Sequence, residues 1–273
     1  MKINNGTVIV IGAGIAGLSS AYYLVQQGWK VVVLEKNTLA DNCSYGNAGM
    51  IVPSHFTPLA APGIVAQGVR WMFDRKSPFY VRPNLSWNLV DWGLKFLKHA
   101  NKQHVERSAA AIRDLNVHSS SLYDELAAQE GFDFELEQTG ILMYYKTKEV
   151  EHEERELAKR AQDLQLEVDI LDAQQAQAHE PALRLDVLGA AFYKCDGKLY
   201  PQKLMQQLIA YLTANGVEFH EGTEVKRFVR SGNRIKELVT SKGHFVGDEI
   251  VVTGGAYLPQ LTSKIGVKTP LMP

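Results

Sequence analysis

Three glycines, Gly12, Gly14 and Gly17, follow the apolar run Val8 to Ile11 and open a helix whose Ala21, Leu24 and Val25 form one apolar side. That spacing can hold a dinucleotide by backbone alone. Gly12 lets the chain turn sharply out of a strand, and Gly14 leaves no Cβ between the backbone and a pyrophosphate. Gly17 lets the helix pack close to the sheet. The helix aims free N–H groups and its positive dipole end at the phosphates, so no lysine is needed. After Gly28, a helix C-terminal glycine, Val31 to Leu34 reads as a strand buried on both faces. Glu35 closes that strand 18 residues past Gly17, placed to accept hydrogen bonds from a ribose 2′-OH. Its charge disfavours a 2′-phosphate, which leaves FAD or NAD.

The elements around this unit alternate as in an α/β protein. After Glu35 comes the loop NTLADNCSYGNAGMIVPSHFTPLAAPG, of the long kind that carries function beside a nucleotide site. An aromatic stretch from Val69 to Phe96 holds Trp71, Trp87 and Trp92. Residues 104–129 place Ile112, Leu115, Leu122 and Leu126 at helical spacing, and the charged helix from Thr147 to Leu164 reads as a solvated face with i,i+4 pairs. GILMYY and GAAFYK read as strands, with Asp196-Gly197 turning the chain after the second. Pro201 begins a helix through Leu204, Met205, Leu208, Ile209 and Leu212. Gly216 ends it, and Val217 to His220 forms a short strand. Short strands with tight turns follow, then EIVVTGGAYLPQL, a buried strand running into Thr253-Gly254-Gly255. Two strand-glycine approaches so far apart suit one nucleotide-binding domain interrupted by an inserted substrate domain.

The chain of 273 residues is 45% hydrophobic and 22% charged with a net charge of −1, which gives no global basic field for nucleic acid. Cys43 and Cys195 fit no metal spacing and read as reduced thiols of a reducing compartment. The N-terminus MKINNGTVIVIG leads into the glycine turn, not a cleavage site, so it reads as a core strand. No stretch reaches the roughly 18 apolar residues of a spanning helix. A cytoplasmic protein is expected. The tryptophan-rich stretch suits a core or subunit contact, and alternatively a peripheral contact with the inner face of the cell membrane or a quinone approach.

GAGIAGLSSAYYL, Glu35-Lys36, CSYGNAGMIVP, LAAPG, Glu180-Pro181, DGKLYPQKL and IVVTGGAY, in this order across essentially the whole chain, resemble the FAD-dependent D-amino-acid oxidase superfamily and most of all its D-amino-acid dehydrogenase branch. The resemblance implies FAD as cofactor, with no metal, and an α/β, Rossmann-like FAD-binding domain interrupted by an inserted α+β, mixed-sheet substrate domain. It divides the chain into residues 1–50 and 201–265 for FAD, 51–200 for substrate, and 266–273 for the start of a second crossing. It implies that the turn Gly12, Ala13, Gly14, Ile15, Ala16 and Gly17 surrounds the pyrophosphate, with Glu35 and Lys36 at the adenosine. Ser44, Asn47, Ala48, Gly49 and Met50 then lie on the ribityl-to-ring side. Val225 gives backbone hydrogen bonds to adenine, and Thr253, Gly254 and Gly255 flank the cofactor again. Members of the superfamily continue past TPLMP into a glycine-rich segment and an arginine that clamps the substrate carboxylate. This chain stops at Pro273 and is expected to be a truncated form.

The implied reaction removes a hydride from the α-carbon of a neutral amine and leaves an imine, which water hydrolyses to a 2-oxo acid and ammonia. His55 is the local candidate for a proton acceptor or substrate contact, and Tyr200 the second; a loop hydrogen bond and a core hydroxyl are their ordinary alternatives. The expected substrate is a small amino acid, of D configuration. The alternatives are glycine, sarcosine or an imino acid on the same scaffold, or an FAD-binding fragment without turnover. Quinone, oxygen and a protein stay open as electron acceptor. An NAD-dependent reductase would leave the Asn47-Ala48-Gly49 loop and the second glycine approach without a role.

Overall fold

The computed structural model describes residues 5–63 and 87–271. Trp71 and much of the aromatic stretch lie outside the described residues. In chain order the first elements are β1 (Thr7–Ile11), α1 (Ile15–Gln26), β2 (Lys30–Leu34), β3 (Met50–Ile51), α2 (Trp87–His99) and α3 (Lys102–Ala127). Then come β4 (Ile141–Tyr145), α4 (Lys148–Asp163), β5 (Val168–Asp172), α5 (Ala173–His179), β6 (Gly189–Tyr193) and β7 (Gly197–Lys198). The last are α6 (Pro201–Ala214), β8 (Glu218–His220), β9 (Val225–Ser231), β10 (Arg234–Thr240), β11 (Gly243–Phe245), β12 (Glu249–Val252) and α7 (Leu258–Thr262). Two compact units result: Met1–Ala48 with Glu130–Phe134 and Tyr200–Pro273, and Gly49–Gln129 with Glu135–Leu199.

The first unit is built on a parallel sheet in the order β12-β1-β2-β8. Its central strands, TVIVI and KVVVL, are rich in β-branched residues because both faces are covered. Ile9, Ile11, Val32 and Leu34 share a core with Val225, Phe228 and Leu238 of the antiparallel sheet β9-β10-β11. By strand alternation Val8, Val10, Val31 and Val33 point to the opposite face. α1 buries Leu18, Ala21 and Tyr22. The Tyr22 ring meets Tyr211 of α6 at 5.1 Å and Phe132 edge-on at 6.1 Å. Gly28, at φ +85°, closes α1 with its N–H on Val25 O (2.9 Å). The register Ile9↔Val32 and Ile9↔Ile250 brings the ends of β1, β2 and β12 together at one sheet edge, where Gly12, Glu35 and Thr253 follow.

The second unit has a three-stranded antiparallel sheet, β4-β6-β5, and a two-stranded one, β3-β7. α3 starts at Asn101, whose side chain accepts from His104 N, and buries Val105, Ala109 and Ser120. Leu115 does not join that stripe as its spacing suggests: it is 68% exposed. At about 100° per residue it lies roughly 240° round the helix from Ala109, so small residues rather than the leucine define the packed side. α4 carries solvated pairs, Glu151 with Lys148 (2.6 Å) and with Arg155 (3.0 Å), whose hydrogen bonds hold its carboxyl below the usual range. Its other side is not solvated. Ala158 and Ala161 pack with Phe56, Val168 and Tyr193. No helix among the described residues is long and apolar enough to cross a membrane.

Within that core Glu154 Oε2 and Tyr193 OH are buried without a hydrogen-bond partner. Burial raises the Glu154 carboxyl above its ordinary value, Glu153 adds to this, and His55 opposes it. A carboxyl raised by folding favours the native state below its unfolded pKa, about 4.3, and that contribution disappears as pH rises through the folded value. Glu154→Gln is therefore expected to raise Tm at neutral pH by about a degree or two and to leave it unchanged below about pH 4. Thermal melts at the two pH values check this, and a lowered neutral Tm would contradict it.

Candidate cofactor site

At the end of β1, Gly12 takes φ +107°, open to glycine and strained for other residues, and its N–H donates to Leu34 O (2.8 Å). A Cβ on Gly17 would lie 1.9 Å from Gly12 O and 2.8 Å from Thr253 Oγ1, so the first turn of α1 lies directly on the glycine turn. Thr253 locks the same place from β12. Its N–H donates to Ile11 O (2.9 Å), and its hydroxyl lies 2.9 Å from Ile11 O and 3.1 Å from Gly12 O. Gly14 caps α1 and behaves differently. A Cβ there would meet only Ser44 Oγ, at 3.4 Å, so the missing side chain leaves the helix N-terminus open.

Two side chains organise the donors of this turn. Buried Glu35 accepts from Ala13 N–H at Oε2 (2.9 Å) and from Asn37 N–H at Oε1 (3.0 Å). Ser44 Oγ accepts from Ile15 N–H (3.0 Å). Ser44 is itself placed by Asn42 Oδ1 on its N–H (2.9 Å) and by Asn47 Nδ2 on its carbonyl (2.9 Å). The Glu35 carboxylate can accept a further hydrogen bond from a ribose hydroxyl, and the Ser44 hydroxyl, an acceptor within the loop, keeps its own O–H to donate to a phosphate. Asn42 escapes a reading of motif residues because its work is done inside the loop.

On the other side of the turn, Lys36 Nζ lies 3.3 Å from the centroid of the Tyr257 ring. Val225, buried on β9, presents a carbonyl that accepts from Lys264 Nζ (2.8 Å). Lys226 pairs with Glu224 and holds its carboxyl below the usual range. A Cβ on Gly254 would meet Leu261 Cδ1 at 2.7 Å, a packing reason for glycine. Gly255, at φ +52°, begins the turn that carries Tyr257. Tyr257 is a further residue at this end of the site. Its position two residues past Gly255 is the signal that could have found it.

In the second unit Gly49, at φ +65°, accepts from Leu199 N–H (2.8 Å), and Met50, half-exposed, pairs with Lys198. Asp196 is 1% exposed; its Oδ1 accepts from Ser54 N–H (3.0 Å) and its Oδ2 from Ser54 Oγ (2.5 Å). This fixes the loop that carries His55, whose own side chain is exposed. His55 N–H donates to Val52 O (3.0 Å). Burial first, and then Asp196, pushes the Cys195 thiol up to about 12, which keeps it protonated and unreactive. Tyr200 belongs to the first unit, 47% exposed at the start of α6, with its N–H on Phe134 O (2.9 Å).

The glycine turn, Glu35, Ser44 and Thr253 thus form one backbone-lined cradle that fits a pyrophosphate with an adjoining ribose. The family described as FAD dependent oxidoreductase (DAO) matches residues 7–273. D-amino acid dehydrogenase of Cereibacter sphaeroides is 31% identical over 276 residues, covering 97% of this chain and 62% of the relative. That of Helicobacter pylori is 32% identical over 249 residues, covering 91% and 60%. The chain therefore spans about three-fifths of these relatives' length. Among solved structures, glycine oxidase from Geobacillus kaustophilus superposes with a TM-score of 0.67 at 20% identity, covering 96% of this chain and 59% of that one. L-amino acid deaminase from Proteus myxofaciens gives 0.69 at 19%, covering 98% and 49%. These two likenesses establish the fold. With its glycine cradle inside the matched span, the chain belongs to the DAO family of FAD-dependent oxidoreductases.

Proposed function

We propose that residues 1–50 and 201–265 supply the FAD-binding domain, and residues 51–200 the substrate domain, of an enzyme that oxidatively deaminates a small D-amino acid. The observation that carries this reading is 31% identity to a D-amino acid dehydrogenase along 97% of the chain. In this reading the turn from Gly12 to Gly17 surrounds the pyrophosphate and Glu35 takes the ribose hydroxyls. Lys36 and the Val225 backbone meet the adenosine, Ser44, Asn47, Ala48, Gly49 and Met50 line the ribityl and ring side, and Thr253, Gly254 and Gly255 close the cradle. Bound FAD would supply the acceptor for the hydride that leaves the α-carbon.

The chain's own residues then have to orient the substrate and neutralise its amine. His55 has the chemistry for the second task, since an imidazole ring nitrogen with a free lone pair can accept a proton from the ammonium. Asp196 holds the neighbouring Ser54 by two hydrogen bonds and so anchors the loop that carries His55. The Tyr200 hydroxyl is the second polar group, a donor suited to a carboxylate or an imine nitrogen. Water hydrolyses the released imine to the 2-oxo acid and ammonia. The free thiols Cys43 and Cys195 fit the reducing, cytoplasmic compartment included in this reading.

Anaerobic mixing of the FAD-loaded protein with D-alanine or D-proline tests the proposal. Loss of the flavin absorption with these, but not with L-alanine, is the expected result. Bleaching by glycine or sarcosine alone would replace the substrate assignment. No bleaching by any of them would leave FAD binding without turnover.

A further inference from the structure

The Val225 carbonyl, read above as an adenine contact, already has a donor of its own. Lys264 Nζ reaches it at 2.8 Å. The backbone that carries this lysine is fixed beside β9. Ser263–Ile265 form a short turn, Ile265 packs into the core that holds Val225, Phe228 and Leu238, and Gly266 closes the turn at φ +78° with its N–H on Ser263 O (3.1 Å). Only the long, exposed side chain can swing. Glu224, beside Val225, bonds Lys226 and is also near enough for Lys264 to help hold its carboxyl below the usual range.

An adenine presents an exocyclic amine, a donor, to a backbone carbonyl, and an ammonium on the same carbonyl is a second donor with a full charge. A carbonyl oxygen has two lone pairs, but the full charge of an ammonium on one of them opposes the approach of the amine's positive hydrogens to the other. Seating the base in line with the carbonyl therefore weakens the lysine's own bond to it. We infer that Lys264 sets the affinity of the adenine end of the site by competing with the base for the Val225 carbonyl. The inference rests on the reading of Val225 as the adenine contact.

The test uses the full chain, stripped of flavin and titrated calorimetrically with ADP, with FAD and with FMN as a probe of the flavin half alone. Lys264→Met removes the donor and keeps a similar stem. It is expected to bind ADP and FAD about fivefold tighter, the worth of one ordinary net hydrogen bond, and to leave FMN binding unchanged. Lys264→Gln, which keeps a neutral donor, should fall between. Equal or weaker ADP binding by Lys264→Met would overturn the inference, the weaker case making the lysine a cofactor contact instead. A folded wild-type chain that takes FMN but neither ADP nor FAD would overturn the reading of Val225 and the inference with it.

Discussion

Gly17→Ala is expected to yield a protein that retains no FAD and is less stable by ~3 kcal/mol, the upper end of the cost of forcing atoms into a packed site. The new methyl would sit 1.9 Å from Gly12 O, which cannot yield. That oxygen belongs to a turn held by Leu34 O on the Gly12 N–H and by the Thr253 hydroxyl. Moving α1 outward instead would carry the N–H groups of its first turn away from the phosphates they are aimed at. Flavin content per chain and Tm measure both effects. Gly93→Ala is the control, since a Cβ there meets nothing within 4 Å, the backbone is not left-handed and the residue lies outside the cradle. Flavin content equal to that of the wild type in Gly17→Ala would refute the packing argument.

The second large effect is expected at Asp196, in the other unit. Its carboxylate accepts from both the N–H and the hydroxyl of Ser54, and all three groups are buried. Removing an acceptor leaves buried donors unpaired, which costs more than the net value of the bonds themselves. Asp196→Ala should therefore lose ~3 kcal/mol or more, about 1.5 for each hydrogen bond to a charged group. Asp196→Asn should lose less, because its amide still offers one oxygen to Ser54 while presenting an NH2 to the other donor. On the role proposed for His55, the same order should appear in turnover, because the loop so fixed carries that residue. Chemical denaturation and steady-state rates check the series. An Asp196→Ala protein as stable as the wild type would show that Ser54 finds another partner.

What was legible in the chain depended on how local the cause was. The unit from Gly12 to Glu35 could be read because each requirement sits within one strand, turn or helix: positive φ at Gly12, closeness at Gly17, an apolar strand before the acid. That the hydroxyl of Thr253 lies on the carbonyls of Ile11 and Gly12 could not be read, since it depends on β12 lying beside β1. Asp196 was visible as part of a turn, and its partner Ser54 only once the chain was folded. The spacing of α3 identified the helix, with Ile112, Leu122 and Leu126 part-buried, but did not show that its most buried residues are Val105, Ala109 and Ser120 or that Leu115 faces solvent. α5, seven residues long with no bulky apolar side chain, carries no period to detect; its capping box of Asp172 and Gln175 is the signal it does have.

The central claim is that this chain holds FAD by the backbone cradle around Gly12, Gly14 and Gly17. Titration of the flavin-free full chain with FAD, followed by flavin fluorescence while circular dichroism reports the fold, tests it most directly. The prediction is saturation at a single FAD per chain, with ADP displacing the flavin because the cradle grips the pyrophosphate and adenosine. A folded chain that leaves FAD fluorescence unchanged, or binds it in a way that ADP does not affect, would contradict the account.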